Sequence, residues 1–135
     1  MLMRYYLLQP NNLTPTEEVD CRHVLELEEE ILQAKFWKAP IAVHKEALFV
    51  MDGHHRLAVA KRLQLRVLPA ILLDYHGVRV DAWRPGEIVT PEIIFAMARS
   101  GRKFPAKTTK HVFDAQFPEC KIPLRDLGYD RDKGP

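Results

Sequence analysis

Cysteine is scarce in this sequence, and long apolar runs are missing. The two cysteines, Cys21 and Cys120, lie far apart and form no CxxC pair or other metal-ligand spacing. A disulfide framework is therefore not expected, and a reducing cytoplasm is the predicted location. No segment approaches the length of a transmembrane helix, so no membrane partner is expected. The start, Met-Leu-Met-Arg-Tyr-Tyr, lacks the apolar run and the small-residue cleavage site of a signal peptide.

Net charge is also small. The chain has 20 Lys and Arg residues interspersed with 18 Asp and Glu residues, a formal charge of +2 that does not indicate nucleic-acid binding. With 135 residues and 47% hydrophobic content, it has enough apolar material for one globular domain with one core. We expect that domain to comprise residues 1–113. Residues 114–135 contain three prolines and many charges, and are predicted to pack on the domain or to trail from it.

The most distinctive stretch is Met51-Asp52-Gly53-His54-His55-Arg56. An apolar strand leads into it and a helix-forming segment, Leu57 to Leu63, leads out. This order directs free backbone N–H groups and the positive end of a helix dipole to one place, where two imidazoles and a guanidinium add further donors. Gly53 allows a sharp bend or a close approach to a ligand. The pattern favours binding of an anion, above all a phosphate, and leaves Asp52 to meet a metal ion or a proton.

A structural interpretation of the same stretch has to be weighed. Asp-Gly is a common turn, and a surface helix can begin with histidines that have no function. Five special residues in a row between a buried strand and a helix nevertheless favour the functional interpretation.

The segment from Leu13 to Glu18 predicts a helix start. Thr14 can cap the helix, Pro15 suits its first position, and Glu17, three residues after Thr14, completes a capping box. The helix is expected to run to about Lys35. Because the capping box explains Glu17 without any catalysis, the pattern alone leaves its role open.

Two apolar segments predict a β-hairpin. Val67 to Tyr75 is nearly all apolar, as in a strand buried on both faces. After a turn at His76-Gly77, the segment Val78 to Trp83 is predicted to return as its antiparallel partner. Alternation places the apolar residues of this second strand on one face: Val78, Val80 and Ala82. Trp83, on the other face, is either a plug at the rim of the core or a wall of a binding cleft.

The stretch from Arg102 to His111 is basic. It holds four Lys or Arg residues and the adjacent Thr108 and Thr109, with no acid between Gly101 and Phe113. Its hydroxyl and ammonium groups indicate an anion-binding loop, although a solvated basic loop would have the same composition. Together with a helix after Thr90-Pro91, the elements predict an α/β domain of mixed α+β type: a small, largely antiparallel sheet flanked by about three helices.

Four motifs now resemble, in their order along the chain, those of the free L-serine kinases of the ParB/sulfiredoxin superfamily. They are Pro15-Thr16-Glu17, Phe36-Trp37-Lys38, Asp52-Gly53-His54-His55-Arg56 and Lys107-Thr108-Thr109-Lys110-His111. The resemblance covers most of residues 4–113, and the last two motifs are fairly specific in combination. It implies a ParB/sulfiredoxin-like domain.

The same resemblance implies transfer of a phosphoryl group from ATP or ADP, with Mg²⁺, to the hydroxyl of free serine. Glu17 would be the general base, and Asp52 would lie at the transferring phosphate with the metal ion. The nucleotide phosphates would be held by the residues after Asp52: Gly53, His54, His55 and Arg56. The pocket for the hydroxy amino acid would be formed by residues of two later segments: Trp83, Lys107, Thr108, Thr109 and His111.

The chain departs from the resemblance at two points. Archaeal members carry a long insertion between the tryptophan strand and the Lys-Thr-Thr motif, whereas here only Arg84 to Ala106 separates the two. Lys110 stands where an arginine is expected, which keeps the charge but loses the bidentate fork of a guanidinium.

Other members of the superfamily supply the alternatives. A partition-type module would bind DNA or a nucleotide without kinase activity, but such proteins carry a Gly-Glu-Arg-Arg turn where this chain has two histidines. A ParB-like nuclease would need a richer metal site than one aspartate and two adjacent histidines. A sulfiredoxin-type reductase would need a cysteine in the place of His54.

Overall fold

The computed structural model describes residues 3–133, which form three α-helices and eight strands. The helices are α1 (Cys21–Ala34), α2 (His54–Arg62) and α3 (Pro91–Ser100). The strands are β1 (Tyr6–Leu8), β2 (Phe36–Trp37), β3 (Ile41–His44), β4 (Val50–Asp52), β5 (Leu68–Leu73), β6 (Val78–Ala82), β7 (Thr109–Phe113) and β8 (Ile122–Pro123). Short 3-10 helices lie at Pro10–Asn12, Leu124–Leu127 and Arg131–Lys133.

Four strands form the main sheet in the order β1-β5-β3-β4. β5 pairs in parallel with β3, while the β1–β5 and β3–β4 pairs are antiparallel. Two antiparallel ribbons, β2–β8 and β6–β7, complete the fold. The prediction of a small, mixed and largely antiparallel α+β domain with three α-helices is confirmed within the described residues.

The main sheet is covered on both faces. The core on the side of α1 and α2 includes Val24, Ile31, Ile41, Val43 and Leu57. The core on the side of α3 and the β6–β7 ribbon includes Ala42, Phe49, Met51, Val89 and Ile94. Successive residues of β3 point alternately into the two cores, so both faces of the strand are buried. This burial explains why the strand is apolar at every position before His44.

The prediction of a helix start at Thr14 is wrong. α1 begins at Cys21, where Asp20 is the cap and its carboxylate accepts hydrogen bonds from the amides of Arg22 and His23. The preceding segment is extended, with Thr14 paired to Phe49. Thr14 is occupied by this pairing, since its amide donates to Leu48 and its carbonyl accepts from Val50. Glu17 therefore does not lie in the first turn of a helix, and the capping-box explanation of this residue is removed.

The predicted pairing of β6 with β5 is also wrong. β5 already has β1 on one edge and β3 on the other, so no edge is left for a third partner. β6 pairs instead with β7, so the last three residues of the predicted basic loop belong to a strand. The alternation along β6 is confirmed, because its apolar residues pack into the core beside α3: Val78, Val80 and Ala82.

The predicted helix after Thr90-Pro91 is confirmed as α3. Thr90 caps α3 by accepting a hydrogen bond from the amide of Ile93 at 3.3 Å, and Gly101 ends the helix with φ of 74°. In the C-terminal part, β8 pairs with β2, and Leu124 and Leu127 are buried in the core beside α1 and α2. The domain boundary after residue 113 stays a prediction. No helix within residues 3–133 has both the length and the apolar character that crossing a bilayer requires.

Candidate functional site

The start of α2 is built around Gly53. This residue follows β4 with φ of 110°, and a Cβ atom placed on it would lie 2.5 Å from Cγ2 of Ile41. A side chain is therefore excluded on two grounds, the positive φ and the contact with β3. α2 consequently starts without a side-chain cap. The amides of its first turn have no carbonyl within the helix to bind, since the first helical bond runs from Leu57 to Gly53.

His54 binds the chain segment that precedes α1. Its Nε2 accepts a hydrogen bond from the amide of Thr16 at 3.0 Å, and both residues are buried. An Nε2 atom that accepts a hydrogen bond carries no proton itself, so the ring is neutral with its proton on Nδ1. Burial, with a smaller contribution from nearby His111, lowers the pKa of His54 to about 3. At neutral pH, His54 thus supplies hydrogen-bonding groups and no charge.

His55 makes the same kind of contact four residues further along that segment. Its Nε2 accepts from the amide of Asp20 at 3.1 Å. The ring packs against the ring of His23 with the centroids 4.4 Å apart. Burial and the proximity of His23 lower the pKa of His55. Of the three basic residues at the start of α2, Arg56 is therefore the permanent cation.

Glu17 is buried and held by one of its two carboxylate oxygens. Oε1 accepts from the amides of Thr108 and Thr109 at 3.1 and 2.5 Å and from the hydroxyl of Thr109 at 2.7 Å. Oε2 accepts none of the hydrogen bonds found among the described residues and is not sealed from solvent. A carboxylate fixed in this way has one oxygen free to accept a proton in the cleft that Glu17 lines.

Asp52 lies at the end of β4, open to the cleft. Desolvation within the cleft raises the pKa of its carboxyl group. Arg56 opposes this shift, and the neighbouring carboxylate of Glu17 adds to it. Two carboxylates and a guanidinium therefore share one small site.

Trp83 and Lys107 come from the opposite side of the fold, the β6–β7 ribbon. Trp83 is 54% exposed, and its Nε1 donates to the carbonyl of Thr109 at 3.1 Å. The ammonium group of Lys110 lies 4.7 Å from the centre of the indole. Trp83 is therefore an exposed ring that lines the cleft, and its role in binding stays a prediction.

A cleft of about 360 Å³ joins these groups. Nine predicted site residues line it: Glu17, Asp52, Gly53, His54, His55, Arg56, Trp83, Lys107 and Thr109. They come from the extended segment before α1, the β4–α2 junction and the mouth of the β6–β7 ribbon. The structure therefore brings together parts of the chain that are distant in sequence.

Two predicted residues do not line the cleft. Thr108 is buried, and its hydroxyl donates to the carbonyl of Pro105 at 2.6 Å, so only its amide reaches Glu17. Nε2 of His111 lies 3.0 Å from the hydroxyl of Tyr75, and burial lowers the pKa of this imidazole to about 4. Both residues lie behind the cleft wall.

The sequence did not indicate four residues of the site. His23, Leu27 and Met51 line the cleft, and Arg84 donates to the hydroxyl of Thr108 at 3.2 Å and to the carbonyl of Ala106 at 3.1 Å. His23 and Leu27 lie on α1, whose sequence pattern indicates an amphipathic helix but does not indicate which of its residues face a cleft. Arg84 follows Trp83 directly, and this adjacency was the one available signal.

Comparison with known sequences gives similarity over part of the chain. No family model matches it. A protein named ParB-like protein from Sulfolobus acidocaldarius is 35% identical over 85 residues, which are 63% of this chain and 42% of that protein. A protein named ATP-dependent L-serine kinase from Staphylothermus marinus is 33% identical over 88 residues, 61% of this chain and 35% of that protein. The chain thus spans less than half the length of the curated relatives it matches.

Comparison with solved structures covers nearly the whole chain. A free serine kinase in complex with AMP has a TM-score of 0.86 at 15% identity, covering 94% of this chain and 95% of that one. A mutant free serine kinase in complex with ADP has a TM-score of 0.85 at 15% identity, with the same two coverages. A conserved hypothetical protein from Pyrococcus furiosus has a TM-score of 0.86 at 16% identity, covering 94% and 98%. The predicted resemblance is confirmed: this chain has the fold of the free serine kinases and shares sequence similarity with ParB-like and L-serine kinase proteins.

Proposed function

We propose that this chain transfers the terminal phosphoryl group of ATP or ADP to the hydroxyl of free L-serine and so forms O-phosphoserine. The observation that carries the proposal is a carboxylate with one free oxygen, Oε2 of Glu17, in the same cleft as the uncapped start of α2. A general base and an anion-binding helix end are the two elements that phosphoryl transfer to an alcohol requires. The names of the sequence relatives and the nucleotide complexes of the structural neighbours support the same reaction.

The proposed step uses the residues of the cleft as follows. Oε2 of Glu17 accepts the proton of the serine hydroxyl while the hydroxyl oxygen attacks the terminal phosphorus. The bond from that phosphorus to the bridging oxygen breaks, and the nucleotide leaves with one phosphate fewer and takes up the negative charge. Arg56 and the amides that follow Gly53 stabilise the charge that develops on the phosphates. His54 and His55 contribute their backbone amides to this cradle.

The acceptor is placed against the β6–β7 ribbon. Lys107, in a left-handed conformation with φ of 57°, supplies the cation for the carboxylate of the amino acid. Trp83 closes that side, and Thr109 holds Glu17 through its hydroxyl. Thr108 and His111 act from behind the wall, Thr108 through its amide and His111 by packing.

The side chains also fit a magnesium ion that arrives with the nucleotide. Among residues 3–133, no group of three or more His, Cys, Asp or Glu side chains could hold a metal ion by itself. Mg²⁺ commonly takes only one or two carboxylates from the protein and completes its shell with phosphate oxygens and water. Asp52 would be its first protein ligand, and the ion would neutralise phosphate charge.

A second, smaller pocket would take the base of the nucleotide. It has a volume of about 140 Å³, contains the apolar residues Leu27, Ile31, Ala34 and Phe36, and shares Leu27 and Arg56 with the cleft. A base in this pocket would leave its phosphates near Arg56. The substitution Ala34→Trp should therefore weaken ADP binding while inorganic pyrophosphate binds as before. Unchanged ADP binding would place the base elsewhere, and equal weakening of both ligands would mean that the substitution disturbs the phosphate site.

The decisive experiment is incubation with Mg²⁺, ATP or ADP and a panel of amino acids, followed by mass spectrometry. We expect a mass increase of one phosphoryl group on serine. In Glu17→Gln, turnover should fall by roughly 10²–10⁴-fold, while the dissociation constant for ADP changes little. Glu18→Gln is the matched control, because Glu18 is the exposed neighbour. If ADP binds but no pairing gives a phosphorylated amino acid, the chain is a nucleotide-binding module.

A further inference from the structure

Glu17 lies in a segment that two histidines hold from the same side. The amide of Thr16, one residue before Glu17, donates to His54 at 3.0 Å, and the amide of Asp20, three residues after it, donates to His55 at 3.1 Å. The two histidines are adjacent in the first turn of α2. We propose that this pair of imidazoles positions the Glu17 carboxylate at the start of α2, a role that rests on the proposed kinase function and is separate from phosphate binding.

Imidazole chemistry explains why histidine serves at both positions. Each contact needs a hydrogen-bond acceptor on a side chain that projects from α2 toward the segment. Nε2 of a neutral imidazole is such an acceptor. Lysine and arginine have no acceptor, and each would add a charge beside the free amides of α2. Two hydrogen bonds from backbone amides fix both rings in the Nδ1–H tautomer. The pair thus ties the base to the helix that holds the phosphates.

The other side of the segment is held independently. The amide of Phe104 donates to the carbonyl of Thr16, and the amide of Glu18 donates to the carbonyl of Phe104, both at 2.8 Å. Oε1 of Glu17 is bound by Thr108 and Thr109. The segment therefore remains attached to the ribbon side when a histidine is lost. The two histidines fix the distance between Glu17 and α2, and in-line phosphoryl transfer depends on that distance.

The test compares two substitutions of His55, the less buried member of the pair, with a control at another histidine. His55→Leu removes the acceptor, whereas His55→Gln keeps an acceptor oxygen at a similar reach. We expect kcat to fall by about 10–100-fold in His55→Leu, with the dissociation constant for ADP within about twofold of the unsubstituted chain. His55→Gln should recover most of kcat. The control is His76→Leu, an exposed histidine in the turn before β6, which should leave both constants unchanged.

A double-mutant cycle shows whether His55 acts through Glu17. In a Glu17→Gln background, His55→Leu should cause no further loss of kcat, because the group being positioned is no longer a base. Additive losses would overturn the proposal. So would a loss of ADP affinity as large as the loss of kcat, which would make the ring a phosphate ligand.

Amide hydrogen exchange and ¹⁵N NMR of the imidazoles keep the proposal separate from the kinase assignment. The amide of Asp20 should be protected in the unsubstituted chain and in His55→Gln and exposed in His55→Leu, and both rings should show a proton on Nδ1. If the chain makes no O-phosphoserine yet these results hold, the kinase function fails and the anchoring stands. Protons on Nε2 would overturn the anchoring whatever the activity.

Discussion

The start of α2 differs from the starts of α1 and α3. In α1, a carboxylate oxygen of Asp20 accepts from the amide of Arg22 at 3.0 Å, and in α3 the hydroxyl of Thr90 accepts from the amide of Ile93 at 3.3 Å. α2 follows Gly53 and has no side-chain cap. In α1 and α3, the first amides are satisfied by their own chain. In α2, no capping side chain satisfies them, and the helix forgoes the stabilisation that a cap provides.

The missing cap of α2 is imposed by packing. Gly53 lies against Ile41 of β3, so that no capping side chain fits there. The groups around α2 compensate in part, because the rings of His54 and His55 bind the segment before α1. Four experiments test this contrast between the helix starts.

Acid should destabilise the protein most. The pKa of His54 is lowered to about 3 and that of His111 to about 4, so the unfolded chain binds more protons than the folded one below pH 6.5. Stability is therefore full above pH 6.5 and falls as the pH drops toward 4. From pH 7 to pH 5, each histidine should remove up to about 2 kcal/mol, at about 1.4 kcal/mol per pH unit below 6.5. Urea unfolding measures the loss, which His54→Gln should reduce and His76→Gln should not.

The substitution Gly53→Ala should have the next largest effect. Its methyl group meets Ile41 in a backbone conformation of positive φ, and we expect the free energy of unfolding to fall by about 2–4 kcal/mol. ADP binding should weaken as well, because the free amides move. Urea unfolding and calorimetry measure the two effects. Gly101→Ala, at the end of α3 with φ of 74° and open space around it, is the control for the cost of φ alone. A similar loss in both variants would contradict the role given to Ile41.

The substitution Arg56→Gln tests the cation at the uncapped start. Losing a charged hydrogen-bond donor to a phosphate should raise the dissociation constant for ADP by about 10–100-fold. Arg22→Gln is the matched control in the first turn of α1, where the arginine side chain is 89% exposed. Isothermal titration calorimetry measures both. An equal effect at Arg22 would show that long-range charge, and not the α2 site, holds the nucleotide.

The substitution Thr90→Ala should have the smallest effect. Removing a side-chain cap costs about 1 kcal/mol of stability. Because α3 does not line the cleft, the affinity for ADP should stay the same. Chemical denaturation and calorimetry test the two statements. A loss of ADP affinity would mean that α3 and the cleft are coupled.

The elements that could be predicted from the sequence were those whose signals lie close together in the chain. The β4–α2 junction and the Thr90 cap were predicted because strand, turn and cap signals stood next to each other in the chain. The start of α1 was not, because Thr14 and Asp20 are both acceptable caps and the choice depends on the pairing of Thr14 with Phe49. The partner of β6 was not predictable for a similar reason, since both edges of β5 are filled by strands from elsewhere in the chain.

The amino-acid sequence alone defined the groups that this protein can offer: a glycine turn opening a helix, a carboxylate after Pro15-Thr16, and a basic segment with two threonines. The tertiary structure decided how they act. In the folded chain, His54 and His55 accept hydrogen bonds from backbone amides. Glu17 binds Thr109 of the ribbon through Oε1 and does not cap a helix, which leaves Oε2 free in the cleft. The physical reason is that the charge and partners of a polar group depend on burial and on contacts with residues remote in sequence, and neither is encoded in its immediate neighbours.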